Sequence, residues 1–321
     1  MSRRRPAARP PAPIDPTRVR TVPLGRRRSK VVADELGKPV RAGLSIRSFL
    51  GGLPDILAAR DLREAAGRIA RALRARRPVV LGMGAHAIKV GLGPLIVDLV
   101  ERRRLAAVAM NGAGLVHDFE MAWGGRTSED VGPGLDRGLF GMARETGEFL
   151  NHATREGVAA GLGLGRAVGD AIEAARLPHR GTSILAAAAR AGIPATVHVA
   201  VGTDIIHMHP NADGAAIGEG SLRDFYLLAG VVGQLEGGVY LNLGSAVVLP
   251  EVFVKALNLA RNVGRRVRRI TTIDMDFHRH YRPAVNVVGR PTATGGRGFQ
   301  LTGHHEIMFP LLWAAVEEAL R

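Results

Sequence analysis

Eleven histidines stand in this 321-residue chain, and six of them, His207, His209, His278, His280, His304 and His305, fall after residue 200 beside Asp204, Asp274, Asp276 and Glu306. In extended backbone, residues two apart project to one side, so His207/His209, Asp274/Asp276 and His278/His280 each offer a ligand pair to a zinc-like metal. The plainer reading has these imidazoles bonding loop backbone and facing solvent, and no familiar triad spacing is matched. A second pattern is Gly82-Met-Gly84-Ala-His-Ala87, a G-x-G-x-x-A sequence. At a strand-to-helix turn its glycines let backbone approach a pyrophosphate at a helix N-terminus. The acidic residue that usually ends the second strand of such a unit is missing, because Asn111 stands there. Lys89, one of only four lysines, follows the loop directly. Placed in the first turn of a helix, its charge opposes the dipole, and a phosphate or carboxylate ligand would explain it. A lysine reaching out to solvent is the alternative. The chain has no cysteine, which excludes disulfides, thiolate catalysis and cysteine-ligated zinc.

These residues need elements to hold them. Pro78 to Gly84 reads as a buried parallel strand, Leu105 to Asn111 as a second, and each ends in glycines. Further strands are expected at 194–201, 238–243 and 269–275, with helices at 48–77, 88–104, 183–191, 221–236, 250–263 and 307–320. The region 115–180 reads as mostly helical with a break at Gly161 to Gly165, and 276–306 as irregular. This alternation predicts an α/β fold, Rossmann-like, with one open, mostly parallel sheet and helices on both faces. Ligands in such a sheet bind beyond the carboxyl ends of the strands, where all the polar glycine loops fall.

Composition places limits on partners. The formal charge is +15, but residues 1–30 hold ten basic residues against Asp15 alone, which leaves +6 for the remaining 291. That Pro/Arg-rich leader is expected to be disordered, with residues 31–321 forming a single domain. A solvated leader is the first reading and an arm for RNA or an acidic surface the second, whereas the body is not expected to bind nucleic acid. No apolar run is long enough to span a membrane, and the leader lacks the apolar stretch of a secretory signal, so a cytoplasmic location is expected.

Taken in order, the loops resemble those of the deoxyhypusine synthase family. The resemblance runs from about Phe49 onward. It is carried by Gly82 to Gly91, by Met110-Asn-Gly-Ala-Gly-Leu-Val-His-Asp118, by Leu243-Gly-Ser-Ala-Val-Val248, by Gly289-Arg-Pro291 and by Met308-Phe-Pro-Leu-Leu312. The family binds NAD on a Rossmann-like fold as homotetramers and moves an aminobutyl group from spermidine to a protein lysine. The resemblance therefore implies NAD contacts at Gly84, Ala85, His86, Lys89, Asn111, Gly112, Ala113, Gly114, Asp204, Gly244, Ser245, Met275 and His304, a small amine substrate and a homo-oligomer. The departures lie in the amine pocket. Counting from Pro291, the family's catalytic lysine falls on Phe299, a glutamate becomes His117, a histidine becomes Pro250 and an aspartate becomes Asn286. A spermidine site needs carboxylates for its ammonium groups, and trapping an imine needs an amine, which Phe299 lacks. The expectation is an NAD-dependent, amine-oxidising relative whose acid/base groups come from His117, Asp118 and Asp276, with Glu251 and Asn286 as substrate contacts. Two alternatives keep the fold: a metal-assisted C–N hydrolase built on the late His/Asp clusters, and a non-catalytic nucleotide-binding scaffold.

Overall fold

Apolar strand runs that end in glycine turns, separated by amphipathic helices, can bury their surfaces only by layering. In the computed structural model, which describes residues 11–321, they do so around one six-stranded parallel sheet. Helices α1 (Ile46–Gly52) and α2 (Leu57–Arg74) lead into β1 (Val79–Met83). A single turn, α3 (His86–Lys89), and α4 (Gly93–Glu101) carry the chain to β2 (Ala107–Asn111). A long helical excursion follows: α5 (Gly112–Gly124), α6 (Val131–Leu135), α7 (Arg144–Ala159), α8 (Leu164–Ala174) and α9 (Ile184–Ala191). Then come β3 (Ala195–His198), α10 (Gly214–Val232), β4 (Val239–Leu243), α11 (Val248–Asn262) and β5 (Thr271–Asp276). After α12 (Tyr281–Pro283) and a π-helical turn over Ala284–Gly289, β6 (Arg297–Thr302) and α13 (His305–Leu320) complete the fold.

The strand order is β3-β2-β1-β4-β5-β6. The chain steps outward from β1 to β3 and then returns to β1's other side, so the order reverses between β1 and β4. In open sheets of this kind the reversal point is the ordinary dinucleotide location. Alternate residues of each strand feed two cores. Leu81, Met83, Val108, Leu241, Ile273 and Leu301 pack with α2, α4, α5, α9 and α13 on one face. Val80, Ala109 and Tyr240 pack with α10 and α11 on the other. Side chains on the two helix layers thus bury both faces of the sheet, as the near-continuous apolar strands require.

The structure redraws several sequence boundaries. The helix expected over 48–77 is two helices, broken at Pro54, and Leu57 begins the second with φ +46°. The one expected over 88–104 is interrupted at Gly91, whose φ of +83° turns the chain between α3 and α4. Region 276–306 is not irregular throughout, because β6 forms the sheet edge there. Among residues 11–30 every side chain is exposed and the hydrogen bonds are local, while residues 1–10 of the expected leader lie outside the described residues. No helix among the described residues is long and apolar enough to cross a membrane.

Candidate functional site

Backbone bonds stitch the loops at the reversal point together. Gly84 N–H donates to Leu243 O at 2.9 Å, and Gly244 N–H donates to Met275 O at 2.9 Å. Gly84 is required by this packing, since a Cβ would collide with the Gly244 carbonyl oxygen. Gly244 has φ +64°, and a Cβ there would stand 2.5 Å from His305 Cε1. Ser245 is buried and structural: its Oγ accepts from Leu249 N–H at 3.1 Å. Met275 faces the core. Above them His86, Phe277, His304 and His305 form an aromatic group, with His86 and His305 ring centres 5.5 Å apart. Asp276 sits at its base, 3.8 Å from His305 Nε2 and 3.9 Å from His280 Nε2. Both ring nitrogens of buried His305 lack a hydrogen-bond partner, and burial pushes its pKa down against the opposing pull of Asp276. After Gly84, the N–H groups of Ala85, His86 and Ala87 find no protein acceptor among the described residues, as the opening of a helix leaves them.

The second glycine loop is filled from within. Asn111 caps α5, its Oδ1 accepting from Gly114 N–H at 3.1 Å. Gly112 leaves room for the Asp204 carboxylate, with which a Cβ would collide, and Gly114 packs against Met110. Burial raises the Asp204 pKa against His207, the Ala113 amide and Thr203. The amino end of α5 therefore already holds a carboxylate and a capping amide, which repel an added phosphate.

Beside this turn lies a cavity of about 220 Å³ lined by Lys89, Ala113, His117, Glu120, Glu129 and Asp204 among others. Lys89 closes the single turn α3 rather than opening a helix, so its charge suits the local dipole. It lies on the same cavity as His117. The His117 ring is oriented by Thr127, whose Oγ1 is 2.6 Å from Nδ1 and itself donates to Glu120. Thr127's proton is thus engaged on the carboxylate, so its oxygen accepts from His117 Nδ1–H and Nε2 is left with the lone pair. Burial pushes Glu120 up, but His117, 3.8 Å from its carboxylate, and bonds from Thr127 and Thr146 bring it below its ordinary value. Glu129 accepts from Gly141 N–H at 2.8 Å. Sequence reading missed Glu120 and Glu129; the only available signal was Glu120's place one helical turn beyond His117.

Other expected groups do not join this site. Asp118 is buried and caps α9, accepting from Ser183 Oγ at 2.5 Å, Ile184 N–H at 2.7 Å and Leu185 N–H at 3.2 Å. Glu251 and Asn286 bond one another at 2.7 Å near the start of α11. Glu251 is already balanced by Lys255 and Arg282, so it holds no spare charge for an ammonium. Phe299 stands in the middle of β6 in the core, so the position counted as the family's lysine faces away from the rim. The late His/Asp clusters assemble no set of three metal-capable side chains among the described residues. His207 Nδ1 accepts from Gly202 N–H at 3.1 Å, and His209 Nε2 lies 2.9 Å from Gly141 O. Those two imidazoles serve loop backbone.

No family model and no curated relative matches the chain. Solved structures do. A proposed deoxyhypusine synthase from Entamoeba histolytica is 12% identical with a TM-score of 0.51, over 89% of this chain and 97% of its own. A conserved protein of proposed LOR/SDH type from Methanococcus maripaludis S2 is 14% identical with a TM-score of 0.52, over 82% and 71%. AgrE, in its ternary complex with ornithine and NAD+, is 18% identical with a TM-score of 0.51, over 82% and 34%. The chain thus spans about a third of the length of AgrE, and likewise of the arginine dihydrolase ArgZ. At these identities the likeness is one of fold, the open α/β architecture.

Proposed function

We propose that the chain is a deoxyhypusine-synthase-like enzyme that binds NAD along the carboxyl rim of its sheet and oxidises a small amine held in the adjoining cavity, transferring or releasing the product. The observation that carries this reading is the charge of that cavity. In a chain of net charge +15, three carboxylates, Glu120, Glu129 and Asp204, converge on one small space against a single cation, Lys89. Such a space attracts an ammonium group. Its volume is below the roughly 300–1,000 Å³ of sites that bury drug-sized ligands, so it suits an amine and not a dinucleotide.

The cofactor would lie outside it. The free amides of Ala85 and His86 offer donors to a pyrophosphate at the reversal point, whereas the filled end of α5 does not. When bound, NAD supplies the electron sink for oxidising the amine. The protein's part is to hold and deprotonate that amine. The carboxylates bind the ammonium form, and His117 Nε2, fixed as the unprotonated nitrogen by the Thr127–Glu120 chain, takes the proton whose loss makes the nitrogen lone pair available. The AgrE complex with ornithine and NAD+ supports the pairing of an amine with this cofactor on this fold. The deoxyhypusine-synthase-like homotetramer stays part of the proposal.

The test combines calorimetry with NAD and turnover with a series of short diamines, following the reduced nicotinamide and the fluorescence of half-exposed Trp123. His117→Ala is expected to lower turnover by about 10²-fold or more with NAD affinity unchanged. Failure of the protein to bind NAD would overturn the reading. So would NAD binding with no diamine effect on Trp123.

A further inference from the structure

The body's net charge of +6 is not spread evenly by the fold. At the amino-terminal end of the sheet, opposite the glycine loops, the chain enters β1 through Arg76 and Arg77 and enters β2 through Arg103 and Arg104. Because β1 and β2 are adjacent strands, all four side chains line one cleft of about 370 Å³ together with Gln234. Among the described residues no carboxylate lies within 4.0 Å of the guanidinium nitrogens of Arg76, Arg77 or Arg103. Glu317 is taken by Arg102 at 3.0 Å and lies 3.4 Å from Arg104 Nε, which is buried without a hydrogen-bond partner.

Backbone strain marks the same place. Arg76 and Arg103 both have φ +53°, each in a helix-to-strand turn. That left-handed position after a helix is where glycine or asparagine sits without strain. Two adjacent turns instead keep arginine there, as the turn after α8 does at Arg176 (φ +50°), and Arg76 and Arg103 both line one cleft. Strain held at a shared site points to a use for the side chains.

We propose that this cleft binds a chain of phosphate groups through Arg76, Arg77 and Arg103. Arg103 spends one N–H on the Ala191 carbonyl at 2.8 Å, and its other N–H groups and those of Arg76 and Arg77 have no carboxylate partner among the described residues. Guanidinium groups at such spacing call for a ligand that repeats its negative charge, and the planar fork matches phosphate oxygens in pairs. No aromatic ring lines the cleft, so it offers no stacking platform for bases. The ligand is therefore a free oligophosphate in preference to a single-stranded nucleic acid. The site lies at the far end of the strands from the acidic cavity and stands independently of the enzyme reading.

The experiment titrates the full chain with tripolyphosphate, and in a second arm with a short oligouridylate, at 50 and 200 mM salt. Three phosphate contacts are expected to give a fall in affinity of roughly 20-fold between these salts. The triple variant Arg76→Asn, Arg77→Gln, Arg103→Asn keeps residues that tolerate the left-handed turns and is checked for folding by circular dichroism. It is expected to lose tripolyphosphate affinity by about tenfold or more, while Arg166→Gln on α8 changes nothing. The proposal is overturned if tripolyphosphate fails to bind at 50 mM salt. It is equally overturned if the triple variant binds it as tightly as the natural chain, which would assign binding to the leader, or if only the oligouridylate binds.

Discussion

The buried acids show how differently one residue type can be employed here. Asp204 faces the cavity, whereas Asp118, Asp224 and Asp274 are packed beneath the loops and bond backbone or amide groups. Asp224 accepts from Val197 N–H at 2.7 Å and Gly165 N–H at 2.9 Å, and Asp274 accepts from Asn242 Nδ2 at 2.8 Å. Burial dominates all three, lifting Asp224 to about 7 and Asp118 and Asp274 to about 6. A folded-state pKa above the unfolded value means that the native protein binds the extra protons. Its contribution to stability is complete at low pH and is lost as pH rises through about 6 to 7. His198, lowered to about 4 by burial, works in the opposite direction below its ordinary value and offsets part of the gain. The net expectation is an unfolding free energy about 1 kcal/mol larger at pH 6 than at pH 8, read by urea denaturation at both. A flat profile would mean that these carboxylates stay ionised in the fold. Removing the cap with Asp118→Ala strands the Ile184 and Leu185 amides and is expected to cost about 2–3 kcal/mol in the same assay, with NAD affinity retained.

At the scale of elements, the glycine loops are where sequence and structure agree on place and differ on reason. The carboxyl-end turns after β1 and β4 were readable because apolar runs ending in glycine have few other uses. What sequence could not show is that Gly84 answers to a neighbouring backbone and Gly112 to a carboxylate far along the chain. Gly84→Ala should therefore disturb the β1–β4 turn pair whether or not a ligand is present, lowering stability by about 1–3 kcal/mol as overpacking does. A variant as stable as the natural chain would show that the two turns are less tightly apposed. Strand β6 escaped notice because only Phe299 and Leu301 of Arg297–Thr302 turn inward. An edge strand with two apolar side chains and a glycine does not stand out from a polar loop. The acidic cavity was likewise hidden, since Glu120, Glu129 and Asp204 come from three separate segments. His117 could be singled out by type, but the threonine and glutamate that fix its tautomer could not.

For the whole molecule, the separation of charge bears on the leader. Residues 1–30 supply +9 of the +15, while both cores are built entirely from residues beyond 49. Among the described residues, residues 11–30 bond only among themselves and bury nothing. The segment that follows is different: Lys38 N–H donates to Gly52 O and Asp55 N–H to Glu35 O, both at 2.8 Å, so ordered packing begins a few residues past 30. Cutting the chain at residue 30 should consequently leave the unfolding free energy within about 0.5 kcal/mol of its full value, the range of surface changes that touch no partner. The midpoint is best measured at two salt concentrations, because removing nine net positive charges also relieves self-repulsion that salt screens. At low salt the shortened chain should be the more stable by a small margin, and the margin should vanish at high salt. A loss of more than about 2 kcal/mol would place part of the leader against the body, and the boundary near residue 30 would have to move toward the amino terminus.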